Sequence, residues 1–147
     1  MSRLILFALL GLFMPAQSHA QRPPTTIAQL RGAYRPLLIF APKPDDPSLN
    51  LQLRTLRDSS RALADRNILA IAIPYNAPSP TVTRLTEADA ADARRSFHIA
   101  PGDFTVLLIG KDGDEKFRSN KPISIDQLNQ IVDAMPMRQQ EMRQQPH

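Results

Sequence analysis

The chain has 147 residues, a formal net charge of +4 and no cysteine. This length is enough for one domain with its own hydrophobic core, and the missing cysteine excludes disulfides and every reaction that needs a thiolate. Charges of both signs are interspersed, without a basic run or interleaved aromatic residues, so the composition does not indicate nucleic-acid binding.

The N-terminus has the three parts of a secretory signal peptide. Arg3 precedes a short apolar run from Leu4 to Met14, and the small residues Ser18 and Ala20 occupy the two positions that gate cleavage. The run is too short for a bilayer, which takes about 20 apolar residues. No cysteine follows it for lipid attachment. We therefore expect cleavage after Ala20, export to the periplasm or the exterior, and no membrane span in the mature chain.

The first core element is a buried strand. Leu37 to Ala41 is fully apolar and β-prone, and the acidic, proline-rich loop Lys43 to Ser48 follows it. Asp46 and Pro47 are typical of the N-cap and the first residue of a helix. The leucines that follow recur at steps of four and three residues. This spacing predicts one helix that ends near Asn67.

A second strand and a second helix repeat the alternation. Ile68 to Ile73 is another apolar run, which Pro74 stops, and Thr86 opens a helix that runs to about Phe97. Two buried strands joined by a helix imply a parallel pair with a right-handed crossover.

The last third of the chain predicts a hairpin and a closing helix. Phe104 to Ile109 is a third apolar strand, and a Gly-Lys-Asp-Gly turn connects it to a charged edge strand, Glu115 to Ser119. The final helix starts at Ser124 or Ile125, and Pro136 ends it. The order β-α-β-α-β-β-α predicts a thioredoxin-like α/β fold, with a central mixed sheet flanked by helices.

The predicted organisation is one folded domain between polar segments. Residues 1–20 are the signal peptide, and 21–33 form a polar, proline-rich lead-in segment. Within the lead-in, Thr26 can cap a short helical turn through Leu30. The thioredoxin-like domain spans 34–136, and residues 137–147 are a polar C-terminal tail.

Three segments carry a more specific resemblance. They are Leu30 with 34–42, the segment 107–113, and 134–143. In these segments the chain resembles a peroxiredoxin-like family catalogued as a domain of unknown function, which occurs in exported bacterial proteins and in secreted sushi-repeat and related matrix proteins. The closing Met-Pro-Met-Arg-Gln-Gln-Glu-Met-Arg is the most specific part. The resemblance covers essentially the whole mature chain and implies a thioredoxin-like fold and an exported location, but it carries over no catalytic residue.

The loop after the first strand is the predicted site. In thioredoxin-like proteins this loop carries the reactive cysteine, and here it has none. Disulfide exchange and cysteine-based peroxide reduction are therefore excluded. In this fold the loop lies beside the turn before the third strand, so we expect Lys43, Asp45, Tyr75 and Pro101 to converge on one shallow cleft. A helix cap in a solvated loop would explain Asp46 and the acidity without any ligand.

Two function hypotheses remain open. The preferred one is a non-catalytic exported module that binds an unidentified protein, peptide or small molecule through the loops after Phe40 and Ile73. The alternative is a cysteine-independent enzyme that uses Asp45 or Asp46 as an acid or base. Neither hypothesis requires a cofactor, and we expect none.

The sequence also predicts no metal site. The charged residues 111–115 fail the alternate-oxygen spacing of a calcium loop and fit a hairpin turn. Met135, Met137 and Met142 carry thioethers that suit Cu(I), but Met135 fits the core stripe of the last helix. His98 has no histidine or cysteine partner for a transition metal.

A basic helix end leaves two interpretations. Arg94, Arg95 and His98 lie together near the predicted end of the second long helix. They could form an anion site, but positive charge also stabilises the C-terminus of any helix.

Overall fold

The computed structural model describes residues 25–145, so the predicted signal peptide and its cleavage site lie outside the described residues. Within the described range, every helix is too short or too polar to span a membrane. The elements in chain order are α1 (Ile27–Leu30), β1 (Arg35–Ala41), α2 (Pro47–Asp58), α3 (Ser60–Asp65), β2 (Ile68–Pro74), α4 (Glu87–Ser96), β3 (Thr105–Ile109), β4 (Glu115–Ser119), α5 (Ile125–Asp133) and α6 (Pro136–Gln144).

The strands form one mixed sheet in the order β2-β1-β3-β4. β1 and β2 are parallel, with Arg35 opposite Ile68 and Ala41 opposite Pro74. β3 is antiparallel to both β1 and β4. The predicted parallel pair and hairpin are therefore confirmed. Because β1 and β2 are parallel, their carboxyl ends meet at the same edge of the sheet, where α/β proteins commonly bind ligands.

Helices cover both faces of the sheet, as predicted. Along β1 the side chains alternate: Leu37 and Ile39 pack in the core beneath α2, α3 and α5, whereas Leu38 and Phe40 pack in the core beneath α1 and α4. Every residue of β1 is buried. The central strand therefore contributes to both cores, and a cavity made in it would destabilise the whole domain.

The long helix predicted after β1 is broken in two. Ser59, between α2 and α3, has a non-helical backbone (φ −118°, ψ 23°). Asp58, Ser59 and Ser60 are weak helix formers, because their short polar side chains compete for backbone hydrogen bonds. Leu56 and Leu63, on either side of the break, still pack in the same core. The leucine spacing thus predicted the buried face correctly and the continuity of the helix wrongly.

The polar tail expected from residue 137 onwards contains a helix. α5 ends at Asp133, and Pro136 starts α6 in the first helical position, where a missing N–H costs nothing. Arg138 of this helix is 3% exposed. A buried arginine needs compensating acceptors, and these show how α6 is attached.

Glu141 attaches α6 to the amino-terminal edge of the sheet. Its carboxylate accepts hydrogen bonds from both terminal nitrogens of Arg35, at 3.2 and 3.0 Å, and from Nζ of Lys111 at 2.7 Å. Arg35 begins β1, is 1% exposed, and also donates to the carbonyl of Arg66 at 2.8 Å. One carboxylate therefore joins α6 to β1 and to the turn after β3.

Arg138 attaches the same helix to α3 and α5. It donates to the carbonyl and carboxylate of Asp65, at 2.9 and 2.6 Å, and to the Asp133 carboxylate at 3.3 Å. Arg66 donates two further bonds to Asp133, at 2.9 and 2.6 Å. These contacts make up the α6 network, whose members are Arg35, Asp65, Arg66, Lys111, Asp133, Arg138 and Glu141.

The α6 network lowers the pKa values of two of its carboxylates. Burial by itself raises the pKa of Glu141, but the hydrogen bonds and charges of Arg35 and Lys111 outweigh burial, and the net shift is downward. The pKa of Asp133 is also lowered overall. Burial raises it, but the hydrogen bonds and charges of Arg66 and Arg138 lower it by more. A carboxylate whose pKa is lower in the folded state than in the unfolded state stabilises the fold. The stabilisation is complete when the pH is above the unfolded-state pKa, and it is lost as the pH falls through the folded-state pKa.

We expect the free energy of unfolding to decrease as the pH falls below about 4, the range in which unfolded Asp and Glu titrate. Glu141→Gln should cost about 2–4 kcal/mol at pH 7, because it leaves Arg35 buried without a counter-charge. It should also make stability less sensitive to acid. The measurement is urea unfolding at a series of pH values.

Glu115→Gln is the matched control. Glu115 pairs with Arg118 at 2.8 Å, but both side chains are more than a third exposed, so its loss should cost less than about 1 kcal/mol. Equal costs for the two variants at pH 7 would contradict the role given to Glu141.

Phe40→Ala tests the two-sided burial of β1. Phe40 is 0% exposed, and removing its ring should cost about 3–5 kcal/mol, comparable to the whole stability of a small domain. Leu51→Ala, at a position that is 48% exposed, should stay within about 0.5 kcal/mol of the parent. A loss below about 1 kcal/mol for Phe40→Ala in denaturant unfolding would mean that the ring is not buried.

Candidate functional site

The loop after β1 is open to solvent. Nζ of Lys43 lies 3.5 Å from the Asp45 carboxylate, and the two side chains are 60% and 77% exposed. An exposed pair of this kind contributes little to stability. Asp46 is the N-cap of α2, as predicted, and accepts a hydrogen bond from the backbone N–H of Leu49 at 3.0 Å. Asp45 is thus solvated and Asp46 is engaged in a cap.

A groove lies at the carboxyl end of β2, between the loop after this strand and α4. Its volume is about 680 Å³. Tyr75 forms part of its wall and is 39% exposed. We call this cavity the β2–α4 groove; its lining comprises residues 72–79, residues 84–87, and Ala90, Ala91 and Arg94 of α4.

Arg94 connects the groove to the sheet. Its Nη2 donates to the carbonyls of Ala41 and Ile73, at 3.1 and 2.7 Å, near the ends of β1 and β2. Its guanidinium carbon lies 5.3 Å from the ring centroids of both Phe40 and Tyr75, within the range of cation–π attraction. The guanidinium is therefore fixed where the two parallel strands end.

The positive charge of this groove is not neutralised by an ion pair within the described residues. Nη1 of Arg94 and Nε of Arg84 are buried and have no hydrogen-bond acceptor among residues 25–145. The ion pairs of that range involve neither arginine. Burial lowers the pKa of Arg94, and the nearby Tyr75 and Asp103 offset this only in part.

The four predicted cleft residues lie in the segments that follow β1 and β2 and in the turn before β3. Tyr75 lines the β2–α4 groove. Lys43 and Asp45 pair with each other in the exposed loop after β1, and Pro101 lies in an exposed turn between α4 and β3. The lining of the groove includes none of these last three residues.

The basic helix end divides into three separate roles. Arg95 is exposed and pairs with Asp92 one turn earlier. His98 has a left-handed backbone (φ 57°), and the N–H of Ile99 donates to the carbonyl of Arg94 at 2.8 Å, which closes the helix as a Schellman motif. Of the three basic residues, Arg94 turns inward.

The sequence contains a helical spacing that places Arg94 on the inner face of α4. Ala90, Ala93, Arg94 and Phe97 follow the spacing of one helix face, and this face packs against the sheet. Arg84 has no comparable signal, because it precedes α4 in a segment without periodicity. That segment is held by tertiary contacts, including a hydrogen bond of 2.8 Å from the N–H of Thr25 to the carbonyl of Arg84.

Among residues 25–145, no cluster of three or more histidine, aspartate or glutamate side chains has the arrangement of a metal site. The methionines of the copper alternative are dispersed. Met135 packs against the core, and Met137 and Met142 are exposed on α6.

Comparison with known proteins identifies the family. A model described as "Domain of unknown function (DUF4174)" matches residues 26–141. The chain belongs to the DUF4174 family. Its likeness to coiled-coil domain-containing protein 80 of Danio rerio is 28% identity over 134 residues, which cover 79% of this chain and 15% of that protein. This DUF4174 chain thus spans a small part of the curated relative.

Solved structures confirm the thioredoxin-like fold. The reduced 2-Cys peroxiredoxin of Plasmodium vivax matches with a TM-score of 0.57 at 15% identity, over 78% of this chain and 83% of that one. A thioredoxin-family thiol:disulfide interchange protein from Chlorobium tepidum matches with a TM-score of 0.55 at 17% identity, over 72% and 81% of the two chains. At these identities the likeness concerns the fold alone.

The DUF4174 match extends to residue 141 and so includes the first part of α6. Pro136 starts the helix, and Arg138 and Glu141 are three residues apart on one face of it. Both side chains belong to the α6 network. These two residues therefore attach a helix at the amino-terminal edge of the sheet, away from the β2–α4 groove.

The variants Asp46→Ala and Asp45→Ala compare the stability effect of losing a helix cap with that of losing a solvated loop side chain. Asp46→Ala should lower the free energy of unfolding by about 0.5–2 kcal/mol through the lost cap of α2. Asp45→Ala should change it by no more than about 0.5 kcal/mol. Denaturant unfolding of both variants is the measurement, and equal losses would contradict the distinction.

Proposed function

We propose that this DUF4174 chain is an exported binding module that works without thiol chemistry and takes a short segment of a partner protein in the β2–α4 groove. The observation that carries the proposal is the groove itself, which lies at the carboxyl end of a parallel strand pair and has Arg94 fixed in its lining. Export rests on the signal-peptide pattern at residues 1–20, and the lack of thiol chemistry rests on the absence of cysteine.

The lining of the groove suits a peptide. Pro74, Tyr75, Pro78 and Leu85 offer apolar surface, and polar groups from Ser79 and Glu87 lie in the same lining. Ligand sites typically combine apolar walls with a few polar groups in a volume of about 300–1,000 Å³. Outside the groove, Val82 is 69% exposed and extends the apolar surface of the connecting segment.

Recognition would come from side chains rather than from added backbone pairing. β2 is an edge strand, but the N–H of Ala72 already donates to the hydroxyl of Thr81 at 3.1 Å, and Pro74 has no N–H to offer. A peptide cannot extend the sheet at these two positions. The groove walls must therefore provide the affinity.

The alternative of an enzyme that uses Asp45 or Asp46 has no comparable support. Asp45 is 77% exposed and pairs with Lys43, whereas an acid or base tuned for catalysis is usually desolvated. Asp46 already accepts the capping hydrogen bond of α2. Neither carboxylate lines the β2–α4 groove.

Panning a library of random eight-residue peptides against the purified protein tests the proposal. Selected peptides should shift the backbone NMR signals of residues 74–79 and 84–94. Tyr75→Ala should weaken their binding by about fivefold or more, since a truncated aromatic contact typically costs at least about 1 kcal/mol.

Tyr34→Ala is the control for this experiment. Tyr34 is 37% exposed, close to the 39% of Tyr75, but it precedes β1 at the opposite edge of the sheet. Its removal should leave peptide binding unchanged. Signals that shift outside the groove, or equal losses for the two tyrosine variants, would contradict the proposal.

A further inference from the structure

We propose that the β2–α4 groove recognises a carboxylate of the bound peptide through the guanidinium groups of Arg84 and Arg94. This inference rests on the proposed function, because it names the chemistry recognised in the same groove. Three observations support it: buried donor atoms without acceptors, a charge that matches a monoanion, and a contrast with the buried arginines of the α6 network.

The first observation concerns hydrogen bonding. Within residues 25–145, Nη1 of Arg94 and Nε of Arg84 are buried N–H donors without acceptors, and both residues line the groove. Nε of Arg35 is a further donor of this kind, but the Arg35 guanidinium already pairs with the Glu141 carboxylate. A buried donor that lacks an acceptor destabilises the protein, and a ligand that supplies one gains the corresponding free energy. A carboxylate has only acceptors and forms strong, charge-assisted bonds with arginine.

The second observation is the charge of the groove. The lining contains the formally charged side chains of Arg84, Arg94 and Glu87, which sum to two positive charges minus one, or +1. Asp103 lies outside the lining, although its charge also acts on Arg94. A carboxylate carries one negative charge and would neutralise this lining. A phosphate dianion would leave an excess negative charge beside Glu87, so the lining favours a carboxylate.

The third observation is that the chain provides its own carboxylates for the two buried arginines of the α6 network. Arg35 and Arg138, 1% and 3% exposed, donate to Glu141, Asp65 and Asp133 in the α6 network. Arg94 instead donates to the neutral carbonyls of two strand ends. Carbonyl oxygens fix the guanidinium without cancelling its charge, and the charge remains available to a ligand.

Three short peptides serve as probes: an N-acetylated tetra-alanine with a free carboxyl terminus, the same peptide as a C-terminal amide, and an amidated version with one aspartate. NMR titration should follow the Nε–Hε signals of Arg84 and Arg94. We expect the free acid to shift both signals and the neutral amide to shift neither. Whether the aspartate peptide behaves like the acid distinguishes a side-chain carboxylate from a chain terminus, and either source supports the inference.

Arg84→Gln is the decisive variant, because Nε of Arg84 has no acceptor within residues 25–145 and its loss should not unfold the domain. It should weaken acid-peptide binding by about tenfold, as expected for one charge-assisted hydrogen bond, and it should not lower the unfolding midpoint. Arg95→Gln removes the same charge from an exposed position of α4 and should change binding by less than twofold. Arg94→Lys, which keeps the charge but loses the planar fork, should also weaken the acid peptide.

Equal affinity of the acid and amide probes would overturn the inference, as would equal effects of Arg84→Gln and Arg95→Gln. Inorganic phosphate that competes as strongly as the acid peptide would overturn the assignment to a carboxylate. These failures differ from failure of the proposed function. Panned peptides that bind in the groove irrespective of their charge would leave the binding module intact, whereas peptides that map elsewhere would reject it.

Discussion

The pairing of buried Arg35 with Glu141 is the contact on which the architecture depends. Arg35 starts the central strand and is almost fully buried, so its charge requires a partner inside the protein. That partner lies 106 residues further along the chain, and it can reach Arg35 only if α6 docks across the start of the sheet. Burial of the strand that contributes to both cores is thus coupled to the folding of the last helix. A domain that ended at Pro136 would lack Glu141 and would leave the buried cation of Arg35 unpaired.

The two edges of the sheet treat arginine in opposite ways. At the amino-terminal edge, the carboxylates of the α6 network neutralise Arg35, Arg66 and Arg138, so these side chains stabilise the fold and have little charge to offer a ligand. At the carboxyl-terminal edge, Arg94 is held by backbone carbonyls and two aromatic rings, which orient the guanidinium but leave its charge. Arginine side chains therefore stabilise the fold at the amino-terminal edge, whereas Arg94 at the carboxyl-terminal edge is a candidate for ligand binding.

Local signals in the sequence were sufficient for most of the fold. The side-chain caps of Thr26, Asp46, Thr86 and Ser124 begin helices where predicted, because a cap depends on residues three positions apart. The apolar runs predicted the strands for a similar reason. The break at Ser59 was missed because leucine spacing reports a face and not continuity. The α6 network and the position of Arg84 in the groove depend on partners or surfaces distant in sequence, which no local pattern encodes. Arg94 lies between these cases, since its phase on α4 indicated an inward position but not the carbonyls that receive it.

A thioredoxin-like fold without cysteine keeps the physical features of its carboxyl edge. The ends of two parallel strands still present carbonyl oxygens there, and a neighbouring helix can still direct a cationic side chain at them. In this chain the cation is Arg94, and its charge is not consumed by the contacts that fix it. A site built in this way offers a fixed positive charge to an anion, and it does so without a thiol. Arg138 and Glu141 of α6 meet a different requirement, the compensation of buried charge at the amino-terminal edge. The residues that compensate buried charge are therefore separate from those that we assign to ligand binding.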